Sequence, residues 1–281
     1  MPAPKRWLGA HMSIAGGVDR ALERAASIGC AAVQIFLKNN MQWAGKPLAT
    51  DEVARFRARR AVPVFAHSAY LINLAATNRS FRRRSLVALT DEIHRAAQLG
   101  LPFIVMHPGA HMGAGEAAGL RAVAGGLDEV LGATASLPVR IALETTAGQG
   151  TNLGYRVEQL AEIFARVKRP ERLAVCVDTC HAFAAGYDLR TPAGYRRLVG
   201  DLERQVGVEH VVAFHLNDSK TPLGSRVDRH EHIGKGELGL AAFRRVLRDP
   251  RWRDVPMVLE TPKGADLRED VENLRVLREL L

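Results

Sequence analysis

Leu173-Ala174-Val175-Cys176-Val177-Asp178-Thr179-Cys180-His181 is an apolar run that stops on a carboxylate and meets an imidazole three residues later. Short β-rich runs of this kind read as buried strands. Five further runs share the pattern: Val64-Phe65-Ala66-His67, Phe103-Ile104-Val105-Met106-His107, Ile141-Ala142-Leu143-Glu144, Val211-Val212-Ala213-Phe214-His215 and Met257-Val258-Leu259-Glu260. One such group at a strand exit is ordinary. The same kind of group at the same end of six strands describes a convergent site. These are also the side chains that hold zinc.

Outward from these runs, strand-like and helix-like segments alternate along the whole chain. Strands are predicted at 7–11, 31–36, 63–67, 103–107, 139–144, 173–178, 211–216 and 256–260. Helices are predicted at 17–29, 51–61, 78–99, 116–135, 156–168, 191–206, 240–248 and 266–280. Eight β/α units imply a parallel sheet and suit an α/β fold closed as a (β/α)8 TIM barrel. A doubly wound open sheet is the alternative, but no G-x-G-x-x-G follows the first strand. No linker interrupts the pattern, so residues 1–281 are read as a single barrel domain, a length such barrels often have. Connections from strand to helix are long: 37–50, 68–77, 108–115, 145–155, 179–190 and 217–239. In a barrel they open on the C-terminal face, where active sites form.

Hydrophobic content of 47% and charged content of 25% are those of a globular protein. No apolar run approaches the roughly 20 residues needed to span a bilayer, which argues against a membrane protein. The start, Met-Pro-Ala-Pro-Lys-Arg-Trp, lacks a signal-peptide core, and a cytoplasmic location is expected. Cys30, Cys176 and Cys180 are too few for a disulfide framework. Cys30 and Cys176 read as small buried hydrophobes; Cys180, between two candidate ligands, is left open. The net charge of +9 suits an anionic partner, nucleic acid first. The arginines of Arg55-Phe56-Arg57-Ala58-Arg59-Arg60 and Arg82-Arg83-Arg84 read as solvated faces of outer helices.

Nine donors are the candidate ligands: His67, His107, Glu144, Asp178, His181, His215, Asp228, His230 and Glu260. Asp228-Arg229-His230 adds a pair at i and i+2, on one side of an extended segment. Mixed imidazole and carboxylate favours zinc, with manganese or iron as alternatives at some sites. At roughly four ligands per zinc, nine donors imply two or three ions, some bridged by carboxylate. His11, ending the first strand, is expected to brace the ligands. His94 and His210 read as surface residues, and His111 and His232 fall in loops of the C-terminal face. Clustered divalent ions suit phosphodiester hydrolysis.

Three motifs carry a resemblance: His67-Ser68-Ala69-Tyr70-Leu71-Ile72-Asn73, Val175 to His181, and His215-Leu216-Asn217-Asp218-Ser219-Lys220 continuing through Gly224–His230 to Gly234-Lys235-Gly236. Gly9-Ala10-His11 and Thr145-Thr146-Ala147-Gly148-Gln149-Gly150 match as well. The chain resembles the endonuclease IV family of apurinic/apyrimidinic (AP) endonucleases over essentially its whole length. The resemblance implies a TIM barrel and a monomer. It implies incision 5′ to abasic sites in double-stranded DNA, leaving a 3′-hydroxyl, and trimming of blocked 3′ ends. It implies three zinc ions. His67, His107 and Glu144 would hold one, Glu144, Asp178, His215 and Glu260 a second, and His181, Asp228 and His230 a third. Glu144 then bridges the first two ions and is the catalytic carboxylate, and a hydroxide between those ions is the implied nucleophile.

The loops supply DNA-binding candidates: Lys38, Met41, Tyr70, Leu71, Lys220, Arg226 and Arg229. Tyr70 and Leu71, exposed on a loop, would wedge into a base stack. Trp43 has two readings, a wedge or packing against the barrel rim. Met41 stands where the family often has arginine; it can fill a gap but cannot bind phosphate. A metal-dependent sugar isomerase or epimerase on a similar barrel is the second reading, and a non-catalytic nucleic-acid-binding module the third. The Asp228–His230 pair and the basic loops favour the nuclease over the second. The nine donors disfavour the third.

Overall fold

The structure, a computed structural model, describes residues 6–281. The first five residues of the start read for a signal core lie outside the described residues. The strands are β1 (Leu8–Met12), β2 (Ala32–Phe36), β3 (Val64–His67), β4 (Phe103–Met106), β5 (Arg140–Glu144), β6 (Leu173–Asp178), β7 (Val211–His215), β8 (Asp218–Ser219), β9 (His230–Glu231) and β10 (Met257–Leu259). The helices are α1 (Val18–Ser27), α2 (Thr50–Arg59), α3 (Arg79–Leu99), α4 (Glu116–Ala133), α5 (Val157–Arg166), α6 (Thr179–Ala184), α7 (Pro192–Gln205), α8 (Gly239–Arg248) and α9 (Arg268–Glu279). Eight strands close a parallel barrel in the order β1-β10-β7-β6-β5-β4-β3-β2. The expected TIM barrel is therefore present. The short β8 and β9 form a separate antiparallel ribbon.

A period of two fixes what the barrel encloses. Ala32, Phe65, Phe103, Val105, Ala142, Ala174, Cys176, Ala213 and Val258 form one buried apolar cluster. Two residues further along their strands come Gln34, His67, His107, Glu144, Asp178, His215 and Glu260. The polar groups thus occupy the next inward positions, directly above an apolar floor. Phe65 and Phe103 stack at 4.9 Å and fill the space left by the alanines. A Cβ at Gly9 would collide with the Ala32 carbonyl, so glycine lets β1 and β2 approach. The opposite strand faces pack on the helices through residues such as Ile35, Ile104, Leu143 and Val175.

Two local elements depart from the expected loops. α6 starts immediately after β6, because the Asp178 carboxylate accepts the His181 amide at 2.7 Å and caps the turn. A six-residue helix is too short to announce itself by periodicity. The ribbon β8–β9 folds the 217–239 connection back on itself. Buried Asp218 fastens that connection, accepting from the amides of Ser219 (2.8 Å), Leu238 (2.9 Å) and Gly234 (2.9 Å).

Candidate metal centre at the barrel mouth

The inward register brings the donors from distant parts of the chain together over the apolar floor. Glu144 is fully buried at their centre. Its Oε2 lies 3.1 Å from His67 Nε2 and 3.2 Å from His107 Nε2. Its Oε1 lies 2.8 Å from His215 Nδ1. His215 Nδ1 is also 3.1 Å from Glu260 Oε2 and 3.9 Å from Asp178 Oδ2. Beyond Asp178, His181 Nε2 is 3.1 Å from Asp228 Oδ2, and His230 Nε2 is 3.3 Å from Asp228 Oδ1. Three groups of imidazole and carboxylate able to hold an ion emerge among the described residues: His67, His107 and Glu144; Glu144, Asp178, His215 and Glu260; and Asp178 with His181 and His230. Cys180 is buried and lies close enough to Asp228 and His230 to join them. Burial pushes its thiol up to about 12, which disfavours a thiolate.

Three of the imidazoles are aimed by a second nitrogen set against a backbone carbonyl. His67 Nδ1 donates to the Ser68 carbonyl (2.7 Å) and His181 Nδ1 to the Thr145 carbonyl (2.9 Å). His230 Nδ1 points at the Glu260 carbonyl oxygen (3.3 Å). A carbonyl only accepts, so in the neutral rings Nε2 keeps its lone pair. The Nε2 atoms of His181 and His230 face each other at 3.4 Å with the Asp228 carboxylate beside them. Two lone pairs and a carboxylate so close repel unless a proton or a metal ion sits among them. The donor set fits a divalent ion, and its imidazole-carboxylate chemistry suits zinc or a neighbouring transition metal.

The charges support one another. Burial opposes ionisation of Glu144, yet the imidazoles of His215 and His107 hold its carboxyl well below the usual range. Burial likewise opposes ionisation of Asp228, and His181 beside it brings it down to about 2. Burial lowers and the carboxylates Asp178 and Asp228 raise the pKa of His181, with a net rise well above the ordinary value.

Two residues that the sequence reading missed orient these ligands. Gln34, fully buried, bonds His215 and Glu260 together. Asn217 donates to Asp178 Oδ2 (2.6 Å) and accepts from the Glu260 amide (2.8 Å). A buried amide amid carboxylates is the signal that could have found both. His11 lies beside them as expected, taking a 2.8 Å contact from Gln34, and burial lowers its pKa.

The loop candidates divide. Tyr70 stands half exposed over the mouth, its ring edge-on to His67 (5.4 Å) and Phe36 (5.4 Å). It separates a cleft of about 660 Å³, reaching Glu260 and Lys263, from one of about 340 Å³, reaching His107 and Asn73. Leu71 is half buried beside it. Met41 is 66% exposed. Lys220, Arg226 and Arg229 are exposed; Arg226 lies over the Tyr155 ring at 4.1 Å, and Lys220 is 3.9 Å from Glu231. Lys38 corrects the expectation: its side chain is 2% exposed and ion-paired to buried Glu92, so its ammonium is not offered to a phosphate. Trp43 packs, edge-on to Phe81 at 5.1 Å. Among the other histidines, His94 is exposed, His210 leans on Phe164, His111 accepts from the Gly115 amide, and His232 contacts Asn273.

A barrel with such a mouth belongs to a class already described. Residues 22–280 match the family described as xylose isomerase-like TIM barrel. The chain is 51% identical over 277 residues to a protein of Chloroflexus aurantiacus described as a probable endonuclease 4, covering 97% of both chains. It matches the crystal structure of endonuclease IV from Thermus thermophilus at 40% identity with a TM-score of 0.86, covering 97% of this chain and 98% of that one. The chain belongs to the endonuclease IV family. A D-tagatose 3-epimerase-like protein also shares the fold, with a TM-score of 0.75 at 20% identity over 97% of this chain and 96% of that one. At that identity the likeness speaks for the barrel alone.

Proposed function

We propose that this protein is a metal-dependent AP endonuclease. It hydrolyses the phosphodiester 5′ to an abasic site in duplex DNA, leaving 3′-hydroxyl and 5′-deoxyribose phosphate ends, and it removes groups that block 3′ ends. The observation that carries the reading is the convergence of three His/Asp/Glu groups on one barrel mouth, with Glu144 shared between two of them. Family membership supplies the substrate class.

The residues fit three divalent ions, zinc first. His67, His107 and Glu144 would hold one. Glu144, Asp178, His215 and Glu260 would hold the second, and His181, Asp228 and His230 the third. When bound, such ions supply hydroxide at neutral pH and take up charge on the attacking and leaving oxygens. The protein's part is placement. Glu144 sets the spacing of the first two groups, Gln34 and Asn217 hold the carboxylates, and the burial of Glu144 and His215 keeps bulk water from the mouth's base. Tyr70 and Leu71 would occupy the gap left when an abasic nucleotide turns out of the duplex. An abasic nucleotide has no base to unstack, which favours its selection.

The test is incubation with a duplex carrying one abasic analogue, with and without chelator, followed by mapping of both ends. Incision immediately 5′ to the lesion that stops with chelator supports the reading. Activity on ketoses with intact abasic duplex would replace it with the epimerase.

A further inference from the structure

Helix α3 follows β3 and therefore begins on the same barrel face as the metal centre. Its opening sequence, Arg79-Ser80-Phe81-Arg82-Arg83-Arg84, contains no acidic residue. Arg82 is bonded to Glu129 at 2.8 Å. Arg79, Arg83 and Arg84 are exposed and pair with no carboxylate among the described residues. This arrangement costs stability twice. Cations at a helix N-terminus oppose the helix dipole, and Arg79 and Arg83, four apart, repel each other. Local choices that work against the fold mark places where something other than folding is served.

The surface around these arginines continues the catalytic mouth. The cleft beside His67 and His107 is also lined by Asn73 and Phe81. Asn73 and Phe81 then line a second hollow of about 290 Å³, whose far side is Arg84 and the exposed Met112. Arg84 in turn borders a third hollow of about 260 Å³ with Arg83 and Trp43. The Arg84 guanidinium lies 5.0 Å from the Trp43 ring and 5.7 Å from Phe81, a cation held by two aromatic rings.

We infer that this groove is a second DNA-binding surface, which takes the nucleotides flanking the lesion on one side. Arg79, Arg83 and Arg84 contact their phosphates, and the Trp43–Phe81–Arg84 stack supports the sugar and base edges. A polyanion cancels the like-charge repulsion of the arginines, and a chain of hollows leading from the metal centre suits a strand rather than a compact ligand. The inference rests on the AP endonuclease reading and extends it.

The experiment measures affinity of the metal-loaded protein for abasic duplex against salt concentration. It compares wild type, Arg83→Gln/Arg84→Gln, and a control of equal charge change, Arg57→Gln/Arg60→Gln, at the far end of α2. The groove variant is expected to bind about tenfold more weakly near 100 mM salt, with a salt slope smaller by about two units. The control is expected to keep the wild-type slope. With duplexes shortened from either end, shortening one particular side should bring wild type down to the groove variant. An unchanged slope in the groove variant, or an equal fall in the control, overturns the inference while wild-type incision leaves the parent reading standing. A wild type that neither binds nor cuts abasic duplex overturns both.

Discussion

Gln34 Oε1 meets His215 Nε2 at 2.7 Å inside the barrel, although 181 residues separate them. The amide's orientation is dictated by its other end, where Nε2 donates to the Glu260 carboxylate at 2.5 Å. A carboxylate accepts, so Oε1 faces His215, and His215 must carry its proton on Nε2. Its Nδ1 is thereby directed at Glu144 and Glu260.

Gln34→Leu keeps the volume and removes the bonds to His215, Glu260 and His11. It is expected to weaken binding of the second ion about 10- to 100-fold, read by competition with a graded chelator series. The remaining ions should stay. Full retention of all ions in Gln34→Leu would show that packing alone orients His215.

Glu144→Gln preserves shape and removes charge. Turnover is expected to fall by orders of magnitude while abasic DNA is still bound. Near-wild-type turnover with the full metal complement would deny Glu144 its bridging role.

Tyr70→Ala/Leu71→Ala separates a wedge from a support. Incision of abasic duplex should fall strongly, and hydrolysis of a small phosphodiester much less. Equal losses on both substrates would make the pair a prop for His67, which Tyr70 touches edge-on. Met41→Arg should tighten duplex binding modestly through one added phosphate contact.

Acid and base limits of the metal-free protein follow from its ligands. Asp228 and Glu144 have folded pKa values below the unfolded ones. Their stabilisation is present above roughly pH 4 and is lost as pH falls through the folded values. His181 and His215 have raised folded pKa values. Their stabilisation is complete below about pH 6.5 and is lost as pH rises through the folded values. The melting temperature of chelator-treated protein should therefore peak between about pH 4.5 and 6.5. Metal-loaded protein should keep its melting temperature above that window, because neutral imidazoles are then held by cations. Parallel curves with and without metal would contradict this.

The barrel and the convergence of the candidate donors could be read from sequence for one reason. Inward positions repeat every second residue, so Phe65 and His67, or Ala142 and Glu144, announce floor and site in the same short run. What escaped was contact between strands. Gln34, the one polar residue of β2, is marked locally but its partners on β7 and beyond β10 are not, and Lys38 reads as a free loop cation although β2's exit brings it to Glu92 on α3. Arg83 and Arg84 read as a solvated outer face, because periodicity tells that a helix exists but not which of its turns borders the mouth. α6 is hidden for a different reason: six residues are too few to show a helical period.

The fastening of the 217–239 connection by Asp218 gives the centre two mechanical grades. The first two groups stand largely on strands of a closed barrel, whose opening would unravel the whole molecule. Asp228 and His230 ride on a connection of two-residue strands tied down by Asp218 and by isolated hydrogen bonds to α6, Gln149 and Asn273, outside the barrel ladder. If the protein holds the three ions proposed above, dilution or mild chelation is expected to strip the one beside His181 before the other two, leaving a folded protein.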